Sequence, residues 1–201
     1  MSKTKIILDT RAKKAICIYI VLYVTFVCCI FAILHAPIGN FLIPSEIKVE
    51  EGVKLKLRDG IVFAHAYGAI PTSIKNHFYE NDGGIAIVSF ELAPYSNSKS
   101  EKVCGIFKSN SNKIILEANY GGCRAIAHEF GHYVDKITKG AYTKRWGIIW
   151  AVEPVSEYGS KNPSEGFAEA FSEKYLNPKF KYSNTLANKY ISELVHDFNK
   201  R

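Results

Sequence analysis

The chain has 201 residues and a formal net charge of +7, with 26 basic side chains against 19 acidic ones. The first fourteen residues carry +4 of this charge, because they hold five basic side chains and one acidic one. The remaining lysines are not interspersed with aromatic residues as in a groove that binds single-stranded nucleic acid. Nucleic acid is therefore not the expected partner. About 150 residues follow residue 50. They are enough for one hydrophobic core and too few for a second domain.

Residues 15–34 form an uncharged apolar run of twenty residues. As a helix, a run of this length spans about 30 Å, the thickness of a bilayer's hydrocarbon core. The basic tail at residues 1–14 then lies in the cytoplasm, and the rest of the chain lies outside the cell. A cleaved signal peptide is the alternative, but its apolar core usually has about 7 to 15 residues, and residues 34–37 form a poor cleavage site. We expect a single-pass cell-membrane anchor, and an exported domain in either case.

The segment after the apolar run is predicted to contain a linker at residues 35–50 and one folded domain at residues 51–201. Apolar and basic residues alternate over residues 53–57, which predicts a half-buried strand. Residues 59–60, an Asp-Gly pair, then indicate a turn into a second strand at residues 61–63.

Further along the chain, the pattern predicts a short helix at residues 70–79 and a strand at residues 85–90. A hairpin is predicted from residues 103–107 and 114–117, and a last helix at residues 185–198. A small sheet accompanied by helices gives an α+β fold class.

Residues 128–132 read His-Glu-Phe-Gly-His, the H-E-x-x-H pattern of zinc peptidases. On a helix, positions four apart lie on one face, so His128 and His132 can bind one metal ion. Glu129 then lies beside the metal as a candidate general base. Apolar residues recur at spacings of four, four and three, which predicts an amphipathic helix. They are Ile126, Phe130, Val134 and Ile137. The alternative is a surface helix with two solvated histidines.

A catalytic zinc site needs a third protein ligand. Asn162 followed by Pro163 is typical of a helix N-terminus, and the predicted helix has Glu165 and Glu169 four apart on one face. Glu165 is therefore the candidate third ligand. Its alternative role is to complete a capping box at the start of this helix.

At these residues the chain resembles the catalytic domain of anthrax lethal factor and the related Pro-Pro endopeptidases. The likeness consists of two motifs in the same order, residues 128–135 and 158–171, within a similarity that runs from about residue 70 to the end. In that family a tyrosine precedes the ligand glutamate by seven residues, as Tyr158 precedes Glu165 here. Gly166 departs from the family pattern, which has a larger residue, and a glycine there is expected to widen the cleft locally.

The resemblance implies a zincin-like metallopeptidase domain that binds one Zn²⁺ ion per chain. It implies that His128, His132 and Glu165 are the ligands, that Glu129 is the general base, and that Tyr158 stabilises the oxyanion. A neutral phenol can donate to a developing negative charge. Tyr158 as an ordinary core aromatic is the alternative.

Two carboxylates are candidates to accept the outer N–H of a ligand histidine, which would fix its tautomer and raise its basicity. Glu169 lies on the same helix face as Glu165, and Asp135 lies seven residues after His128. Either could instead pair with surface lysines.

Two further features of the chain have open interpretations. Cys104 and Cys123 lie outside the apolar run, and in an oxidising exterior they could form a disulfide, the alternative being two buried thiols. Residues 147–152 contain Trp150 and directly follow Trp146. They are expected either to form a wall or lid of the cleft or to pack in the core.

The sequence therefore predicts a membrane-anchored zinc endopeptidase that hydrolyses an extended peptide or a surface protein outside the cell. A repressor-cleaving zincin is one alternative, although an exported domain cannot reach a cytoplasmic repressor. The other is a non-catalytic surface binding or immunity protein that keeps the fold. Glu129 argues against this second alternative, because zinc binding alone needs no base at that position.

Overall fold

The computed structural model describes residues 10–89, 92, 103–181, 183–198 and 200. The chain divides into two compact units, Met1–Ala36 and Pro37–Arg201. Residues 37–50, for which the sequence predicts a linker, are included in the second unit. Its core contains Ile47, which is 5% exposed.

The first unit contains helix α1, Thr10–Leu34. The segment Ile16–Leu34 has a mean hydropathy of 2.8 and none of its side chains is buried. Such a helix is long and apolar enough to cross a membrane, and a signal sequence near an N-terminus has the same properties.

The second unit is built on a four-stranded sheet with strand order β1-β2-β4-β3. The strands are β1 (Lys48–Val49), β2 (Gly84–Val88), β3 (Gly105–Lys108) and β4 (Lys113–Glu117). β2 pairs in parallel with both β1 and β4, whereas β3 pairs with β4 in an antiparallel register. β3 is therefore an edge strand of this sheet.

Seven helices of this unit lie in the described part of the chain. They are α2 (Leu57–Ala69), α3 (Thr72–Glu80), α4 (Tyr120–Thr138), α5 (Lys144–Val152), α6 (Pro163–Leu176), α7 (Pro178–Lys181) and α8 (Leu186–Phe198). α4 packs against α2, α6, β3 and β4. This central position makes α4 the helix around which the core forms.

Aromatic side chains fill the core between α3 and α4. Phe78, Phe130 and Tyr133 are fully buried. The Phe78 ring centroid lies 5.1 Å from that of Phe130 and 4.9 Å from that of Tyr133, in both cases edge to face. Aromatic rings prefer this arrangement because it places the positive edge of one ring on the negative face of the other. This packing determines which face of α4 is buried in the core and leaves the opposite face available for a functional site.

The strand pair predicted at residues 53–63 is wrong, because α2 begins at Leu57 and continues through these residues. The Asp-Gly pair is not a turn. A Cβ on Gly60 would lie 2.4 Å from the carbonyl oxygen of Gly39, so this glycine allows a close backbone contact within a helix. A pattern of only three alternating apolar residues does not distinguish a strand from the extended residues that precede a helix.

The other predicted elements agree with the structure, with small shifts in their bounds. The hairpin is β3 and β4, the predicted short helix is α3, and the C-terminal helix is α8. β2 covers most of the predicted strand at residues 85–90, and residue 90 lies outside the described residues. The predicted α+β class is confirmed at the level of a small sheet with mostly helical surroundings.

Candidate metal centre

α4 carries both histidines and the glutamate of the H-E-x-x-H pattern. Asn119 caps this helix, because its side chain accepts a hydrogen bond from the backbone N–H of Gly122 at 2.9 Å. Ile126, Phe130 and Val134 are buried, as the apolar spacing predicts. The histidines consequently lie on the face of α4 that points away from the aromatic core.

α6 lies across α4 and brings Glu165 to the histidines. Asn162 caps α6 by accepting hydrogen bonds from the N–H groups of Ser164 and Glu165, and Pro163 follows the cap as predicted. The two helices approach closely at Gly131, where a Cβ would lie 2.7 Å from the Cα of Ala168. Only glycine permits this backbone distance without displacing α6.

Three side-chain atoms converge between the two helices. The Nε2 atoms of His128 and His132 lie 3.1 Å apart. Glu165 Oε2 lies 3.1 Å from His128 Nε2 and 3.4 Å from His132 Nε2. The three side chains are 13%, 20% and 22% exposed, so they are shielded from bulk water but open on one side.

The spacing of these atoms fits a zinc ion. Ligand atoms at about 2.0 to 2.2 Å from a tetrahedral ion lie about 3.3 to 3.6 Å from one another. The observed distances of 3.1 to 3.4 Å are close to these expected distances between ligand atoms. Two imidazoles and one carboxylate also match the donor set of catalytic zinc sites, which leave a fourth position open.

Glu169 orients His128 from the outer side. His128 Nδ1 donates to Glu169 Oε1 at 2.8 Å, and Ser156 Oγ donates to Glu169 Oε2 at 2.9 Å. With the proton on Nδ1, the lone pair of His128 Nε2 points toward Glu165 and His132, as a metal ligand requires. Glu169 thus makes the contact predicted for it, and Ser156 holds it in place.

Two carboxylates beside His128 favour positive charge at this point. Burial alone lowers the pKa of His128, but hydrogen bonds to Glu165 and Glu169 outweigh it and raise that pKa to about 10. Burial raises the pKa of Glu165, and the hydrogen bonds with His128 and His132 reverse the shift and hold this pKa well below its ordinary range. A cation, whether a proton or a metal ion, is therefore stabilised between the helices.

Glu129 lies beside the two histidines in the same cleft, next to the edge strand β3. It is 4% exposed, and the backbone N–H of Phe107 donates to its carboxylate. Burial raises the pKa of Glu129 despite the opposing effect of the two histidines and this hydrogen bond. A raised pKa makes a carboxylate a stronger base, which suits it to accept a proton from water.

Gly105 leaves room for this carboxylate. A Cβ at Gly105 would lie 2.8 Å from Glu129 Oε1 and 3.1 Å from the Cβ of Ala125. The strand can thus pass close enough for Phe107 to hold Glu129. The sequence did not predict roles for Gly105, Phe107 or Ser156, because no local sequence pattern predicts contacts between segments that are distant along the chain.

Asp135 has other partners than the predicted ligand histidine. It is 4% exposed, its Oδ1 accepts from the N–H of Ala141 at 2.8 Å, and its Oδ2 accepts from Ser164 Oγ at 2.9 Å. These bonds join the end of α4 to the first turn of α6. Asp135 therefore positions the residue next to Glu165 and not a histidine ring.

Tyr158 lies at the rim of the site. It is 43% exposed, and its ring centroid is 5.7 Å from that of His128. The ammonium of Lys161 lies 4.1 Å from the centroid of the Tyr158 ring, a cation–π contact. The structure thus brings Tyr158 to the same site as the three candidate ligands, on the side that is open to solvent.

The tryptophans between the two motifs pack against α6. Trp146 is 1% exposed, and Trp150 Nε1 donates to the carbonyl of Gly159 at 2.8 Å. A Cβ on Gly166 would lie 2.5 Å from Cδ1 of Trp150. The space that a larger residue would use at position 166 is consequently filled by Trp150, so this glycine does not widen the cleft. Residues 147–152 belong to helix α5.

Cys104 and Cys123 are not joined by a disulfide in the described part of the chain. Cys123 is fully buried, and desolvation raises the pKa of its thiol to about 12. A thiol of this kind is unreactive at neutral pH. Cys104 is half-buried and lies near Gly121, where a Cβ would be 2.7 Å from the Cys104 Sγ.

A cleft of about 730 Å³ opens over the site. Its walls come from β3 and the loop that follows it, from α4, and from the segment around Tyr158 and the start of α6. The candidate ligands and Glu129 are at its floor. A cleft of this size can hold several residues of an extended peptide.

Neither a protein-family model nor a curated protein matches the sequence. Among solved structures, the chain is similar to the Pro-Pro endopeptidase PPEP-2 from Paenibacillus alvei, with a TM-score of 0.58 and 17% identity. The similarity covers 79% of this chain and 98% of that one. The chain thus shares the fold of that endopeptidase. Within the described residues, His128, His132 and Glu165 form a group that could hold a metal ion.

Proposed function

We propose that the chain is a zinc-dependent endopeptidase, with His128, His132 and Glu165 as ligands of one zinc ion. The observation that carries this proposal is the triangle of three ligand atoms at 3.1 to 3.4 Å, open to a cleft on one side. A structural zinc site has four protein ligands and a closed shell, whereas a catalytic one has three and an open position. Three ligands beside a buried base support catalysis.

When bound, zinc would supply a Lewis acid that polarises the scissile carbonyl and lowers the pKa of water. Glu129 takes one proton from the attacking water and then delivers it to the nitrogen of the leaving amine. The C–N bond breaks, the hydroxyl stays on the carbonyl carbon, and the proton ends on the amine. Tyr158 donates a hydrogen bond to the carbonyl oxygen as negative charge develops, a contribution of about 10²-fold.

The edge strand β3 provides hydrogen-bonding groups for an extended substrate. Cys104 and Ile106 face β4, since the Cys104 carbonyl accepts from Glu117 N–H and Ile106 is paired with Ile115. In an antiparallel ladder, alternate residues point away from the partner strand. Gly105 therefore directs its N–H and carbonyl to the open edge, and Phe107 directs its carbonyl there, while the Phe107 N–H binds Glu129. A peptide can add at this edge as a further strand.

The experiment uses the full-length protein in detergent, wild type and Glu129→Gln, with Glu157→Gln as a control at an exposed glutamate. We expect about one zinc per chain by mass spectrometry in all three. A peptide library enriched in proline-containing members, chosen because the structural neighbour is a Pro-Pro endopeptidase, should be cut by the wild type and the control only. Zinc without cleavage would support the binding-protein alternative, and absence of zinc would contradict the metal site.

We also propose that α1 anchors the domain to the cell membrane with the domain outside. The apolar segment Ile16–Leu34 and the basic residues before it support this topology. Protease added to intact cells should then degrade the domain, and protection from the protease would contradict the proposal. The mass of the mature chain distinguishes an anchor from a cleaved signal.

A further inference from the structure

Beyond the metal site, the cleft continues past the end of α4 into a region lined by lysines. Lys136, Lys139 and Lys161 line this part of the cleft. We call these three residues the lysine end of the cleft. Lys139 and Lys161 are exposed, and Lys136 is half-buried.

The acidic groups in the described lining of the cleft have roles away from Lys136 and Lys139. Asp135 is buried and accepts hydrogen bonds from Ser164 and Ala141. Glu129 and Glu165 lie at the metal site, where a divalent ion would balance their charge. Lys136 donates to neutral groups and Lys139 is exposed, so the described residues give this end a positive charge.

Each lysine is held or directed by a different element. The ammonium of Lys136 donates to the carbonyl of Ser109 and to Asn112 Oδ1. Lys161 lies over the Tyr158 ring. Lys139 is the C-cap of α4 in a left-handed conformation, with φ of 56°. This change of backbone direction carries its side chain into the cleft lining, away from the helix face used by the core.

The direction of β3 decides which part of a substrate meets these lysines. Gly105 lies beside Glu129, and the residue after β3, Ser109, lies beside Lys136, so β3 runs in the same direction as α4. A peptide that adds antiparallel to β3 runs the opposite way. Its residues N-terminal to the scissile bond then lie at the lysine end.

We infer that this protein selects peptides with an acidic side chain a few residues N-terminal to the cleaved bond. The inference rests on the proposed endopeptidase function. The four residues from His132 to Lys136 and the seven to Lys139 correspond to about 6 Å and 10 Å along a helix. At about 3.3 Å per residue of an extended peptide, the acidic group lies at the second or third residue before the bond.

The first measurement is a comparison of cleavage by the full-length, zinc-loaded wild type and the variants Lys139→Glu and Lys189→Glu. Lys189 is an exposed lysine on α8, outside the cleft lining, so it controls for net charge. A peptide that is cut is synthesised again with Asp, Asn or Lys at the second or third residue before the cleaved bond. We expect a kcat/KM three- to tenfold higher for Asp than for Lys, a reversal in Lys139→Glu, and no change in Lys189→Glu. The preference should weaken at high salt.

The second measurement does not depend on turnover. Zinc-loaded Glu129→Gln, alone and combined with Lys139→Glu, is titrated with fluorescent peptide pools that carry a fixed Asp or a fixed Lys among random neighbours. Tighter binding of the Asp pool, lost in the double variant, supports the inference even if no peptide is cut. Equal binding of both pools overturns it, and so does a preference in the cleavage measurement that is confined to residues after the cleaved bond. Failure of cleavage alone would contradict only the endopeptidase function.

Discussion

The two walls of the cleft are built in different ways. The wall formed by α4 and α6 is closely packed: Gly131 lies against Ala168, and His128, Glu169 and Ser156 form a continuous hydrogen-bonded chain. The wall formed by β3 and the lysine end beyond the metal site are more open, since all four residues of β3 are half-buried and Lys139 is exposed. Closely packed side chains have little freedom to move, whereas exposed ones keep theirs.

This difference separates two tasks. A metal ion and a base need fixed positions, because small displacements of catalytic groups cost rate. Selection of a substrate needs complementary charge, which exposed lysines supply with modest energy and weaker geometric demands. Changes to the contacts between α4 and α6 that hold the candidate ligands should therefore alter zinc binding, and changes along β3 or at the lysine end should alter turnover or selectivity. The predictions below test this division, beginning with the largest effect.

Removal of Glu169 should weaken zinc binding by about 10- to 100-fold, because His128 loses the carboxylate that fixes its tautomer and raises its basicity. We expect this result for Glu169→Ala in a competition titration with a chromogenic chelator. Glu173→Ala on the same helix is the matched control, since Glu173 bonds to Asn177 and not to a candidate ligand. Equal zinc affinity of Glu169→Ala and the wild type would contradict a ligand role for His128 in this orientation.

A methyl group at Gly105 should lower kcat by about tenfold and leave zinc affinity unchanged. The Cβ of Gly105→Ala would lie 2.8 Å from Glu129 Oε1, so the carboxylate must shift, whereas the atoms nearest to that Cβ belong to Glu129 and Ala125 and not to the candidate ligands. Displacements approaching 1 Å cost up to about 10²-fold in rate. Steady-state kinetics and the chelator titration together measure this split. Gly68→Ala, where nothing lies within 4 Å, is the control. If Gly105→Ala lost zinc, the result would contradict the assignment of zinc binding and turnover to different walls of the cleft.

The convergence of the candidate ligand side chains could be predicted because their geometry is local. His128 and His132 need only the period of a helix, and the cap at Asn162 fixes where α6 begins and therefore where Glu165 points. Glu169 follows from the same period. These predictions depend on neighbours within one turn of the chain.

Other features depend on contacts between distant segments, and the sequence could not predict them. Residues that resemble a strand and a turn form helix α2, in which Gly60 packs against the backbone of Gly39. Asp135 lies seven residues after His128, about 10 Å along the helix axis, too far to reach that ring. Instead it bonds to Ser164, whose position depends on how α6 crosses α4. Likewise, the place of β3 at the sheet edge follows from strand order and not from its four residues.

The smallest effect compares two helix caps. Asn162 caps α6 at the metal wall, and Thr143 caps α5, where its side chain accepts from the N–H of Trp146. Loss of either cap should lower the free energy of unfolding by about 1 kcal/mol. Only Asn162→Ala should also weaken zinc binding, by a few fold, because Glu165 lies in the capped turn. Chemical denaturation and the chelator titration measure the two effects. If Thr143→Ala weakened zinc binding as much as Asn162→Ala, general destabilisation would explain both, and the fixed position of Glu165 would lose its support.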